Sequence, residues 1–216
     1  MKLNTKRTML VGLAFLSICI FWQMYDSVVP LILTKTFHMN ETFSGAIMAA
    51  DNILALFLLP FFGSVSDKSH TKIGKRMPFI LFGTGCAIIL MNILPLLDNS
   101  YAAQPSGFKT ASFVIVLGLL LVAMGTYRAP AVALMPDVTP KPLRSRANAI
   151  INLMGAVGGI LYLGVAAVLY PNSKTAGVEH VNYQPLFIVV SAIMFLAIAV
   201  LFLTIKEPKL TAENQA

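Results

Sequence analysis

Six long apolar runs dominate this sequence, and each is long enough for a helix to cross a lipid bilayer. About 20 residues at 1.5 Å each span the hydrocarbon core. Backbone groups in hydrocarbon need partners within their own segment, so such runs form helices. We therefore predict an all-α polytopic membrane protein. With ends placed to within about 2–4 residues, the predicted spans are about Met9–Leu33, Thr42–Val65, Met77–Leu97, Ala111–Met135, Ala147–Tyr170 and Pro185–Ile205.

The composition agrees with membrane insertion. Of the 216 residues, 57% are hydrophobic and 12% are charged, about half the roughly 25% charged residues of a soluble protein. These values exclude an ordinary cytosolic enzyme, a disordered regulator and a secreted disulfide scaffold. The first run is not a cleaved signal peptide, because it is too long, carries Gln23 and Asp26, and lacks a small-x-small cleavage site.

The distribution of Lys and Arg predicts the orientation. Twelve of these residues lie in the N-terminal segment, the 66–76 and 136–146 loops and the C-terminal tail, whereas the alternate side holds three, Lys35, Lys109 and Lys174. By the positive-inside rule both termini are cytoplasmic. The same asymmetry explains the net charge of +7, so nucleic acid is not needed as a partner. We expect a transmembrane bundle over residues 1–205, and a polar tail or the start of a central linker over 206–216, in a bacterial inner membrane.

A weak internal symmetry links the two halves of the chain. Tyr25-Asp26 and Tyr127-Arg128 each begin 17 residues into a predicted span, and each pair is followed by a proline, Pro30 or Pro130. Six helices built as 3+3 inverted repeats would produce such a match, as in many transporters. A chance match of two residues is the alternative.

Three charged residues fall within the spans, where each costs about 2.5–3.5 kcal/mol. Counted from the cytoplasmic ends, Arg128 lies roughly 10 Å deep, and Asp26 and Asp51 lie roughly 20–25 Å deep. Arg128 is a candidate donor to substrate hydroxyls or a candidate partner of a titrating carboxylate, and the two aspartates are candidates for proton or cation coupling. The alternative is that these groups snorkel or form structural ion pairs that fix helix packing.

Several polar side chains accompany these charges. With Arg128, we assign Asn152, Gln23 and Tyr25 as candidate substrate-binding residues, although such amides also join membrane helices. For Asn52 and Asn148 we favour the packing role. The fifth span carries small residues that predict close helix packing, namely Gly155, Gly158, Gly159 and Gly164.

No catalytic constellation is recognisable. The histidines His38, His70 and His180 fall in predicted loops, and the sequence lacks a His/Glu metal spacing, a phosphate-binding Gly-rich loop and a CxxC pair. We expect no enzymatic activity, no metal and no cofactor.

The most specific signal is the loop between the second and third spans. It reads Gly63-Ser-Val-Ser-Asp67-Lys68-Ser-His-Thr-Lys72-Ile-Gly74-Lys75-Arg76-Met-Pro78-Phe-Ile. It resembles the signature cytoplasmic loop of the major facilitator superfamily. Its Gly-Lys-Arg followed by Pro-Phe-Ile is similar to the branch of sucrose–proton and glycoside–pentoside–hexuronide symporters. The stretch from Tyr127 through Asp137 to Arg146 resembles the same branch.

The resemblance implies roles for individual residues. The loop residues that would help to lock the cytoplasmic gate between two halves are Gly63, Asp67, Gly74, Lys75 and Arg76. The alternative is that the basic ones serve only as topology anchors.

The resemblance also bears on substrate and ion. Arg128 stands where melibiose-type members keep a sugar-binding aspartate, and Asn152 where they keep an arginine. Ahead of Pro60, Ala55 and Leu59 occupy the positions of two sodium-site carboxylates. Proton coupling through Asp51 or Asp26 is therefore favoured over sodium.

Members of this superfamily have twelve spans in two halves. The resemblance thus implies the N-terminal half of a major facilitator fold. We expect a proton-coupled transporter of a sugar-like solute that works by alternating access with a missing C-terminal half or a second copy. The alternative is a truncated or half-size membrane protein that does not transport by itself.

Overall fold

The computed structural model describes residues 3–175 and 177–215, without the side chains of residues 172, 174 and 213–215. Lys2, the Lys174 side chain and residue 216, which entered the predictions above, lie outside this part. The helices in chain order are α1 (Thr5–Leu31), α2 (Glu41–Asp67), α3 (Met77–Ala103), α4 (Gly107–Val138), α5 (Arg144–Leu169), α6 (Asn172–Thr175), α7 (Gln184–Thr204) and α8 (Glu207–Gln215).

Six helices in the described residues are long and apolar enough to cross a membrane, namely α1 to α5 and α7. This confirms the six predicted spans. The helices extend several residues beyond the apolar runs, because polar residues continue the helices at both ends. A π-helical turn, Ile32–Thr36, extends α1 beyond Pro30, a position where proline removes one backbone hydrogen bond.

The helix contacts follow a two-fold pattern. α1 packs against α5 and α7, α4 packs against α2 and α3, and α3 and α7 pack against each other. If α1, α2 and α3 are exchanged for α4, α5 and α7 respectively, each contact is replaced by a contact of the same set. The pairing is that expected of 3+3 inverted repeats. At the centre, the Tyr127 hydroxyl of α4 donates a hydrogen bond of 2.8 Å to the Ala14 carbonyl of α1.

Glycines of α5 allow its close approach to α1. A Cβ at Gly155 would lie 2.9 Å from Cys19 Sγ, and one at Gly158 would overlap the Leu16 carbonyl. The predicted small-residue packing is therefore confirmed for these two glycines. It is wrong for Gly164, where a Cβ would meet no atom within 4 Å, because Gly164 lies on the exposed side of α5.

The two edge helices leave one side of the bundle open. α2 contacts mainly α4, and of its 27 residues it buries only Ser44 and Ser66. α5 forms the opposite edge against α1 and has no extensive contact with α2. We call the surface between α2 and α5, which is lined by α1 and α4, the open face. The end of the bundle with the 68–76 loop, the 139–143 connection and α8 is called the terminal face.

The α1–α5 contact can be tested at Gly158. A Gly158→Val substitution places methyl groups against the Leu16 backbone, and we expect it to lower the free energy of unfolding by about 1–3 kcal/mol through overpacking. Gly164→Val on the same helix is the matched control and should change it little. Thermal unfolding in detergent measures both. Equal stability of the two variants would contradict the contact.

Candidate functional site

The open face carries two layers of polar groups. The layer nearer the terminal face holds Arg128 of α4 with Cys19 and Trp22 of α1. The second layer holds Tyr25 and Asp26, about one turn beyond Trp22 along α1. The central helices thus bring the charged residues of the first, second and fourth predicted spans to one side of the bundle.

Arg128 lies over an aromatic ring. Its Cζ is 5.4 Å from the centroid of the Trp22 ring, a separation at which a cation and a ring attract each other. Arg128 also acts electrostatically on the thiol of Cys19. No ion pair or hydrogen bond joins it to Asp26, Asp51 or any other carboxylate within the described part of the chain. The guanidinium is half-buried, and its donors remain available to a solute.

The two carboxylates lie near each other on neighbouring helices. Asp51 of α2 acts electrostatically on Asp26 of α1, and both act on the Tyr25 hydroxyl. A common depth in the membrane stays a prediction. Asp51 accepts hydrogen bonds from the backbone and the side-chain nitrogens of Asn52, at 2.6 and 2.9 Å. The Asn52 amide therefore supports Asp51, whereas the sequence favoured a contact between helices.

Tyr25 is the buried member of this layer. It is 1% exposed and packs edge-on against Trp22 with ring centroids 5.3 Å apart. In the described residues, the Tyr25 hydroxyl and the Trp22 Nε1 are buried without a hydrogen-bond partner. Since a buried unpaired donor is costly, these two atoms mark a place suited to a polar ligand.

A cleft of about 440 Å³ opens between α1 and α5 beside these groups. Trp22, Gln23 and Asp26 line it, facing the glycines of α5. Asn152 and Asn148 are exposed on α5, about one turn and about two turns before Gly155. Arg128, Tyr25, Asp51 and Asn152 lie outside the cleft lining. A substrate role for Asn152 stays a prediction.

The loop after α2 is built around a buried arginine. Arg76 is 4% exposed, and its guanidinium donates to Asp67 at the end of α2 and, at 2.9 Å, to Asp137 at the end of α4. It also donates to the Gly63 carbonyl and the Ser66 hydroxyl. Lys75 Nζ lies 3.2 Å from the same Asp137 oxygen. The loop residues assigned to the gate are therefore joined to one another within this bundle.

Glu207 completes the cluster. Its carboxylate accepts backbone N–H bonds of 2.9 to 3.1 Å from Lys75, Arg76 and Met77 at the N-terminus of α3. The positive end of the helix dipole favours an anion there. Gly74 has a φ of +120°, and any Cβ at this position would overlap Glu207. The positive φ and the lack of space for a Cβ therefore both require glycine at this position.

Gly63 contributes only its backbone carbonyl to this cluster. A Cβ at Gly63 would meet no atom within 4 Å. Nothing inside the bundle requires a glycine at this position, and its role at the gate stays a prediction.

Sequence reasoning missed Trp22, Asp137 and Glu207. Trp22 is the one tryptophan of the chain, and it lies in the middle of a span instead of at the interface, where tryptophan is enriched. That position was an available signal. Asp137 and Glu207 lie at helix ends, where acids are common, so only their three-dimensional neighbours distinguish them.

Comparisons with known proteins place the chain in a family. The family model described as Major Facilitator Superfamily matches residues 11–216. Similar curated proteins include sucrose transport protein SUC3 of Arabidopsis thaliana, 34% identical over 62% of this chain and 24% of its own length. Sucrose transport protein SUT3 of Oryza sativa is 34% identical over 50% of this chain and 24% of its own length. Putative transporter YdfJ of Escherichia coli is 34% identical over 40% of this chain and 20% of its own length. The matched region is about a quarter of the length of the sucrose transport proteins.

The contact between Glu207 and α3 can be tested by removing its charge. Glu207→Gln keeps one acceptor oxygen but loses the charge-assisted bonds, which contribute about 1.5–3 kcal/mol. We expect a lower unfolding temperature and faster hydrogen exchange in α8 and at residues 75–77. Exposed Glu179→Gln is the matched control. Unchanged exchange at residues 75–77 would contradict the contact.

Proposed function

Because the chain belongs to the major facilitator superfamily, a family of transporters and not of enzymes, we propose that it is the N-terminal half of a proton-coupled sugar or glycoside symporter. The observation that carries this proposal is the open face, where Arg128 lies over Trp22 one layer from the carboxylates Asp26 and Asp51. The curated relatives named as sucrose transport proteins support a sugar-like solute.

The first layer suits a polyhydroxylated solute. Arg128 supplies charged donors, Gln23 supplies a donor and an acceptor, and the Trp22 ring supplies an apolar surface. A sugar presents hydroxyls around an apolar ring, so it uses both kinds of contact. The unpaired Tyr25 hydroxyl and Trp22 Nε1 would gain partners on binding.

The second layer suits a proton. Two carboxylates at one depth repel each other when both are charged, and binding a proton relieves that repulsion. Asp26 is exposed on the open face, whereas Asp51 is held by Asn52. We therefore assign Asp26 as the group that exchanges protons with the pathway and Asp51 as the charge that makes it responsive.

A second six-helix half would cover the open face. α2 presents a strongly exposed apolar side that includes Leu56, which is 71% exposed, and Phe57, which is 67% exposed. Gly63 faces open space near the terminal end of α2, which permits a close approach by the other half. Rocking of the two halves around the polar layers would give alternating access, with both termini cytoplasmic. The gating loop would then act where Arg76 already joins α2, α3 and α4.

Arg128 is tested by uptake in vesicles that contain the complete transporter. Arg128→Ala should reduce sugar uptake by at least about tenfold, since a charged hydrogen bond contributes about 1.5–3 kcal/mol. Membrane insertion, measured by immunoblotting, should be unchanged. Exposed Arg146→Ala is the matched control and should transport normally. Wild-type uptake by Arg128→Ala would overturn the assignment.

The carboxylates are tested by separating coupling from binding. Asp26→Asn and Asp51→Asn should each abolish sugar accumulation driven by a proton gradient while exchange of internal for external sugar continues, because exchange needs no net proton movement. Exposed Glu41→Gln is the control. Accumulation that survives in both variants would assign coupling elsewhere.

The non-transporting alternative is distinguished by the same vesicles. Sugar uptake with no second half and no second copy present would contradict the two-half proposal. Failure of the chain to transport or bind sugar with any second half would favour a protein without transport activity of its own.

A further inference from the structure

An apolar groove of about 320 Å³ runs between α3 and α7 near the terminal face. Its walls are hydrophobic apart from Thr84, and they include Leu81 and Gly85 of α3 with Phe195, Phe202 and Leu203 of α7. Phe195 and Leu203 are 62% and 75% exposed. From residue 203 to residue 195 the groove extends about 12 Å along the helix, most of the depth of one bilayer leaflet.

A basic pocket adjoins the end of this groove at the terminal face. Phe202 lines both cavities, and the second, of about 370 Å³, is lined by Lys72, Lys206 and Lys209. All three lysines are exposed. Within the described residues none of them has a carboxylate at salt-bridge distance. Among the described side chains, the pocket therefore carries positive charge without a paired carboxylate, at the level where the apolar groove ends.

Glu207 explains why this charge is not neutralised. It lies between Lys206 and Lys209 in the sequence, yet it is 1% exposed and accepts hydrogen bonds from the N-terminus of α3. The acid that would otherwise pair with the neighbouring lysines is thus directed into the bundle, and the lysines face outward.

We propose that the groove and the basic pocket together form a binding site for an anionic glycerophospholipid. An acyl chain fits the apolar groove, and the phosphodiester of a negatively charged headgroup fits the three lysines, as basic pockets beside membrane helices attract anionic headgroups. A zwitterionic lipid carries a cation in its headgroup beside the phosphate. The lysines repel this cation, so the lipid would bind less tightly. A second copy of the chain is disfavoured as the occupant, because it would bring the same basic pocket.

The position of the site keeps it in contact with lipid. α3 and α7 pack against each other on the side of the bundle away from the edge helices α2 and α5. A second half on the open face would leave the groove uncovered. The lipid site therefore does not depend on the proposed transport activity.

Native mass spectrometry of the purified 216-residue chain tests the proposal. Phosphatidylglycerol and phosphatidylcholine with identical acyl chains are titrated separately, and we expect phosphatidylglycerol to bind about tenfold more tightly or better. The triple variant Lys72→Gln, Lys206→Gln, Lys209→Gln should reduce its affinity to that of phosphatidylcholine. The control removes three other exposed charges of the terminal face, through Lys68→Gln, Lys141→Gln and Arg146→Gln, and should retain the preference. Equal losses in both triple variants would indicate general surface attraction and overturn the site.

A second variant tests the groove. A Cβ at Gly85 meets no atom within 4 Å, so Gly85→Leu fills the groove without displacing a neighbour, and we expect phosphatidylglycerol affinity to fall several-fold. Gly118→Leu on α4, where a Cβ also meets no atom within 4 Å, is the matched control. Unfolding temperatures check that both variants fold. Unchanged affinity in Gly85→Leu, or a dimer that this substitution alone disrupts, would overturn the lipid proposal.

Discussion

The buried guanidinium of Arg76 is the interaction that holds the terminal face together. Removing such a charge from water is expensive unless acceptors surround it. Here α2 supplies Asp67, the Gly63 carbonyl and the Ser66 hydroxyl, and α4 supplies Asp137. Arg76 itself precedes α3, so three helices from both repeats meet at one side chain. The packing of the bundle deeper in the membrane needs no charge, because glycine contacts and one tyrosine hydroxyl join α1 to α5 and α4.

Arg128 on the open face has different partners from Arg76. At the terminal face every hydrogen-bonding group of Arg76 has a protein partner, whereas Arg128 is offered an aromatic ring and no carboxylate among the described residues. The charge of Arg128 is stabilised without its donors being used. A site of that kind is expensive to keep empty in hydrocarbon, so it fits a water-filled cavity that a polar solute enters. This difference between Arg76 and Arg128 is the reason for assigning one to a structural ion cluster and for proposing the other as part of a binding surface.

The sequence predicted the six membrane-spanning helices, because an apolar run in hydrocarbon can satisfy its backbone hydrogen bonds only as a helix. It also suggested that Asp26 and Asp51 could come near each other, since position along a helix converts directly to distance, and the two do influence each other electrostatically. It could not predict that Arg128 would lie over Trp22, because the rotation of α4 against α1 is set by side-chain packing. Gly164 failed as a packing residue for a related reason: a glycine favours close approach only where a neighbouring helix is present. The helical conformation of residues 207–215 was equally hidden, because its anchor is the N-terminus of α3, which lies about 130 residues earlier.

One contact links the loop proposed to act at the gate with the proposed lipid site. When Glu207 is bound to the amides of residues 75–77, it fixes the loop that carries Arg76 and, at the same time, withdraws the acid from Lys206 and Lys209. The order of this loop and the positive charge of the basic pocket are therefore two results of one carboxylate position. If the loop released Glu207, that carboxylate would return to the lysines and weaken their attraction for an anionic headgroup. A bound anionic lipid consequently favours the state in which Glu207 stays on α3, by the reciprocity that governs any two coupled equilibria.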